Sequence, residues 1–128
     1  MSESQPVRIV TLKNGLMLHF FDRTNRYFGD FHRVLVVVEG YLDSELGSLS
    51  DEQKKVLTEL TASSPLYRRD LERMGVTSGR LELTVNELID SFLDSAKNYL
   101  ERPDIPGQLI SKYVAGYRKR RTSMRVIR

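Results

Sequence analysis

The spacing of apolar positions changes period along this chain. The segments VRIVTLK and LMLHFFD flank Asn14-Gly15, a dipeptide that accepts positive φ at both central positions of a type I′ turn, so a β-hairpin with that turn is expected. FHRVLVVVEGY, bounded by Gly29-Asp30 and Gly40, predicts a third strand from Phe31 to Glu39, antiparallel to the second. Val34 through Val38 are apolar on both pleat faces, and Met17, Leu18, Phe20 and Phe21 make the second strand two-sided as well. Helices or a second subunit must then cover each side of the sheet.

Helical periodicity dominates the remainder. Ser50 and Gln53 have capping-box spacing at the head of SDEQKKVLTEL, where Val56, Leu57 and Leu60 form a stripe. Pro65 suits the first turn of a second helix, PLYRRDLERM, which Gly75 should end. The strongest pattern is VNELIDSFLDSAKNYL, whose Val85, Leu88, Ile89, Phe92, Leu93, Ala96, Tyr99 and Leu100 fill one face, with Leu81 a turn earlier and Ser78 or Thr84 as N-cap. GRLELTV also alternates as a strand would. After the prolines of RPDIP, PGQLISKYVAGYRKRR predicts a last helix with Leu109, Ile110, Tyr113, Val114 and Tyr117 facing inward, and TSMRVIR is read as a frayed end or a further strand.

The fold class expected is therefore α+β: a small antiparallel sheet of three strands, or four, followed by about four helices in one domain spanning 1–128. A chain of 128 residues with 40% apolar and 29% charged content can bury a core without metals or disulfides. Cysteine is absent, which removes thiolate chemistry and makes the cytoplasm the default compartment. MSESQPVRIV has no apolar core behind a positive region and VLVVV is too short to span a bilayer, so neither a secretion signal nor a membrane span is expected.

Little in the chain commits it to a chemistry. His19 and His32 fall on adjacent strands with Asp22 and Asp30 near the strand ends, but neither histidine has a partner at metal-motif spacing and the strand register decides whether they share a face. Ser63 and Ser64 in ASSPL lack a nucleophile elbow. No catalytic, cofactor-binding or metal-binding residue is assigned, and the chain is read as not an enzyme.

DRTNRYFGDF mixes Arg23 and Arg26 with Asn25, Tyr27 and Gly29, a set able to hold a phosphate or carboxylate through arginine forks and backbone amides. Over these few residues it resembles the Asp-x-Ser-x-x-Gly element of PilZ cyclic-dinucleotide domains. Thr24 stands in place of Ser, Gly29 lies two positions late, and no paired-arginine motif precedes the hairpin, so that function is not carried over. The competing reading is a strand connection with a turn at Gly29-Asp30 and with Tyr27 and Phe28 packed under the sheet edge. Met74, Gly75, Val76 and Leu81 partly match a helix-turn-helix, yet Asp70, Leu71 and Thr84 depart from it and TSGRLEL carries no base-reading pairs.

Charge is unevenly placed. The chain nets +3 while the segment from Lys112 onward carries seven Lys and Arg and no acid, so the rest nets −4. Arg118, Lys119, Arg120, Arg121 and Arg125 are the candidate anion or nucleic-acid contacts. The same charges can serve the helix macrodipole or the acidic remainder.

The leading reading is a non-enzymatic intracellular interaction domain, homodimeric because the sheet is apolar on both faces and short enough to expose edges, acting on a protein partner and not on a membrane. The alternatives are a nucleic-acid-associated regulator using the basic C-terminal segment, and a small anionic-ligand sensor using the 22–30 loop with Arg23 and Arg26.

Overall fold

The computed structural model describes residues 5–42, 50–52, 55, 65–113 and 115. It is an α+β fold with a five-stranded antiparallel sheet: β1 (Arg8–Thr11), β2 (Leu16–Asp22), β3 (Asn25–Phe28), β4 (Phe31–Leu42) and β5 (Tyr67–Thr77). A 3₁₀ turn, Ser78–Arg80, leads into α1 (Leu81–Leu100), and residues 105–113 are helical (α2). Among the described residues no helix is long and apolar enough to cross a membrane.

The expected hairpin and the antiparallel partner of its second strand are present. β1 pairs β2 from Arg8↔Phe20 to Thr11↔Met17, and β2 pairs β4 from Leu16↔Leu42 to Asp22↔Val36. The first turn differs from a two-residue type I′. Gly15 N–H donates to Leu12 O at 3.0 Å, Leu12 N–H donates to Leu16 O at 2.8 Å, and only Gly15 in this loop has positive φ, at 91°. This is a three-residue loop in which Gly15 occupies the left-handed position.

Asn14 has another task. Its Oδ1 accepts from Leu16 N–H at 3.0 Å, while Nδ2 donates to Leu100 O at 2.7 Å and Arg102 O at 2.8 Å. A turn side chain thus satisfies carbonyls that the C-terminus of α1 would otherwise leave open.

PLYRRDLERM is not a helix. Residues Tyr67–Thr77 form β5, antiparallel to β4 from Gly40↔Tyr67 to Phe31↔Thr77. Leu, Arg, Glu and Met favour helix locally, but β4 needs a partner for its second edge, and that tertiary demand overrides propensity. Tyr67 and Leu71, four apart, share a side in a strand as they would in a helix. GRLELTV, conversely, is 3₁₀ turn and helix, with Arg80 rather than Ser78 or Thr84 at the N-cap of α1.

The sheet therefore has more strands, and the described chain fewer helices, than the sequence pattern implies. Of SDEQKKVLTEL, Asp51, Glu52 and Lys55 are helical and the rest lies outside the described residues, as do Ser63 and Ser64.

The main core cluster among the described residues lies on the face of the sheet toward α1. Leu16, Leu18 and Phe20 from β2 and Val34, Val36 and Val38 from β4 are fully buried against Val85, Ile89 and Phe92 of α1, with Phe20 and Phe92 edge to face at 6.0 Å. Ile110 of α2 joins the same cluster, and Leu109 packs against it. Tyr99, expected on the inner face of α1, is exposed beneath the guanidinium of Arg102.

Removing the Asn14 clamp gives a stability prediction. Asn14→Ala should cost about 1–2 kcal/mol in urea unfolding at neutral pH. Asn14→Asp should cost more, because it removes both donors and sets a negative charge against helix C-terminal carbonyls. Ionising that carboxylate is disfavoured in the folded state, so the gap between Asn14→Asp and wild type should narrow as the pH falls through the carboxylate range.

Candidate interaction surface

The segment read as a ligand loop continues a strand. Asp22↔Val36 in β2 is followed by Asn25↔Arg33 and Arg26↔His32 in β3, with no residue inserted, and Arg23 N–H donates to Leu35 O at 2.7 Å between them. β2, β3 and β4 thus form one long hairpin whose tip is Gly29-Asp30. Gly29 has φ 55° and Asp30 does not share the positive sign, the arrangement of a type II′ turn.

An extended backbone sends residues three apart to opposite faces. Arg23 stands with Phe21, its guanidinium 5.0 Å from that ring's centroid, on the side away from α1. Arg26 stands opposite His32, on the side of Val34, Val36 and Val38. The two arginines are therefore not brought together.

The same alternation separates the histidines. His19 lies on the face away from α1, with ring centroids 5.0 Å from Tyr41 and 6.2 Å from Phe21. His32 lies on the other face, its Nδ1 within 3.2 Å of Asp30 O and of Val76 O. Among the described residues no group of three or more His, Asp or Glu is placed to hold a metal ion.

On the face away from α1, Tyr41 O–H donates to Glu39 Oε1 at 2.6 Å, and Glu39 is opposite His19. Burial, then the hydrogen bond and charge of Glu39, push the Tyr41 phenol up to about 12. A phenol so far from neutrality is a poor proton donor at neutral pH, so this row reads as packing around Val37, which is 4% exposed.

The hairpin tip carries the more distinctive arrangement. Asp30 Oδ2 accepts from Ser78 N–H at 3.2 Å, so a turn carboxylate caps the start of the helical segment from across the sheet. Hydrogen bonds from the Ser78 side chain and backbone, with lesser help from the charges of His32 and Arg26, hold the Asp30 carboxyl below its ordinary 3.8. Facing the tip, β5 bulges: Val34↔Arg73 is followed by His32↔Val76, leaving one extra residue in β5. Gly75 absorbs it at φ 72°, where a Cβ would be strained. Met74, Gly75 and Val76 thus form a strand bulge, not the turn of a helix-turn-helix.

These devices leave apolar side chains in water. Of the eight large hydrophobic residues exposed among the described residues, five belong to this end of the molecule: Tyr27, Phe28, Phe31, Met74 and Leu83. Phe28, the most exposed at 73%, is paired with Phe31 across the tip. Tyr27 and Phe28 are exposed rather than packed under the sheet edge as the sequence suggested, although the Tyr27 hydroxyl reaches across to the neighbourhood of Gly75. One sequence signal did mark the site: YFGDF places aromatic residues on both sides of a two-residue turn.

Arg118, Lys119, Arg120, Arg121 and Arg125 lie outside the described residues. Comparison of the chain with protein-family models, with curated proteins and with solved structures gives no match.

The Asp30 cap has a signed pH dependence. Its folded-state pKa is lowered, so its contribution is complete above the unfolded value near 3.8 and is lost as the pH falls through the folded value. Asp30→Asn should lower stability by a constant amount between neutral and mildly acidic pH. That difference from wild type should shrink below 3.8, read by urea unfolding at a series of pH values.

Proposed function

We propose that this chain is a non-enzymatic interaction domain that self-associates through the hairpin end of its sheet. The observation that carries this reading is the pair Phe28 and Phe31, exposed side by side across the hairpin tip on the sheet face away from α1, with Tyr27 exposed beside them in β3. Adjacent aromatic side chains held out on a tight turn mark a contact surface. A second copy of the same chain is the occupant, because the outer edge of β3 pairs with no strand among the described residues and an unpaired strand edge is self-complementary about a two-fold axis. Aromatic residues and Met with arginines at the margin, here Arg26 and Arg73, are the composition favoured at interface centres.

Light scattering at micromolar concentration tests this directly. Wild type should run as a dimer, and Phe28→Asp and Phe31→Asp should each run as a monomer with an unchanged circular dichroism spectrum, since neither side chain contributes to the core. A monomeric wild type, or a dimer that both substitutions leave intact, would overturn the proposal.

A further inference from the structure

Between the β5 bulge and the first turn of α1 lies a half-open cleft of about 290 Å³, lined by Arg73, Met74, Val76, Arg80 and Thr84 among others. We infer that this cleft binds the phosphoryl group of a small phosphate monoester. The cleft shares Arg73 and Met74 with the end of the molecule discussed above, but the inference does not rest on self-association.

Thr84 is the first observation that points to a ligand. It is 2% exposed yet lines the cleft, and its hydroxyl has no hydrogen-bond partner among the described residues. A buried helical hydroxyl ordinarily returns to a carbonyl of the preceding turn, as Ser95 does to Ser91 O at 3.1 Å. The Thr84 oxygen is not sealed off from the cleft, so it can donate to or accept from a group bound there.

Cationic groups converge on the same space. Arg80 has no carboxylate partner among the described residues, and Arg73 shares one nitrogen with Glu87 Oε1 at 3.0 Å, leaving donors of its fork unused. Thr77 and Arg80 make no side-chain cap, and the start of the helical segment is met instead by Asp30, which accepts from Ser78 N–H at 3.2 Å, so the cationic character of the cleft rests on Arg73 and Arg80. Against these stand Glu87, already paired, and Glu82, exposed in the first turn.

The ligand class follows from size and lining. An extended nucleic-acid backbone needs a charged stripe, whereas this cleft offers arginine forks and a hydroxyl around one point. Met74 and Val76 supply an apolar wall, which a bare inorganic ion would not use and the organic part of a monoester would.

Amide NMR titration at constant ionic strength, with phenyl phosphate, inorganic phosphate and sodium chloride as separate probes, tests the site. Saturable shifts confined to residues 73–84 are expected, with phenyl phosphate binding more tightly than inorganic phosphate and chloride giving none. Arg80→Gln should weaken phenyl phosphate binding about tenfold, and the near-isosteric Thr84→Val about threefold, while the rest of the spectrum stays fixed. Arg73→Gln is the second arginine variant, should Arg80→Gln perturb the helix start. Shifts spread over arginines elsewhere, absence of saturation, or affinities unchanged in these variants would overturn the inference.

Discussion

Everything described here depends on β4 being paired along both of its edges. Twelve residues long, it takes β2 and β3 on one side and β5 on the other, so nearly all its peptide groups are satisfied inside the sheet. Only then can Val34, Val36 and Val38 be stripped completely of water, because a buried strand with an open edge would carry unpaired amides into the core. That requirement turns the arginine- and glutamate-rich segment 67–77 into a strand, and it sets β2 and β3 into a single register.

The helix is then fastened to this sheet from its two ends. Asn14, from the turn between β1 and β2, donates to carbonyls around the end of α1, and Asp30, from the turn between β3 and β4, accepts at Ser78 where the helical segment begins. Both are short polar side chains whose local role is turn formation, and both are spent on the orphan groups of a distant helix terminus. Between these ends the contact is apolar and non-directional, through Val85, Ile89 and Phe92, so the polar clamps fix the axial position that packing alone leaves free. The Asp30 contact also sets the first turn of α1 beside the β5 bulge, which is how the cleft with Thr84 and Arg80 comes to exist.

What was legible in the sequence follows the range of the interactions. The β1–β2 hairpin, the pairing of β2 with β4 and most of the apolar face of α1 are encoded within a dozen residues each and are present in the structure, the hairpin with a three-residue loop in place of the type I′ turn. β5 was not legible, because Tyr67 and Leu71 satisfy both periods and only the empty edge of β4 decides between them. Tyr99 went astray for a related reason: it falls on the apolar stripe, but the sheet beneath it ends and Arg102 covers its ring instead. For the site, the turn at Gly29-Asp30 was readable, whereas the divergence of Arg23 and Arg26 required knowing that the segment between them is extended. The Thr84 cleft had no sequence signal at all, since it joins a bulge and a helix start that become neighbours only through the sheet.

Among the described residues the free margins of the sheet, those of β5, β3 and β1, differ in charge and apolar exposure. β5 presents a long edge, and its residues Arg68, Arg69, Asp70, Glu72 and Arg73 are all exposed, with a bulge toward its end. Charges and bulges on an edge strand are what prevents another strand from adding there. β3 has a short edge of its own, with Arg26 and a register shift between Arg26 and Phe28, yet Tyr27 and Phe28 sit in it and Phe31 faces Phe28 across the turn. Aromatic side chains thus gather at the hairpin end, where Asp30 and Gly75 fix the backbone. Little conformational freedom remains to be lost there on association, which lets a small apolar patch bind with more of its burial energy retained.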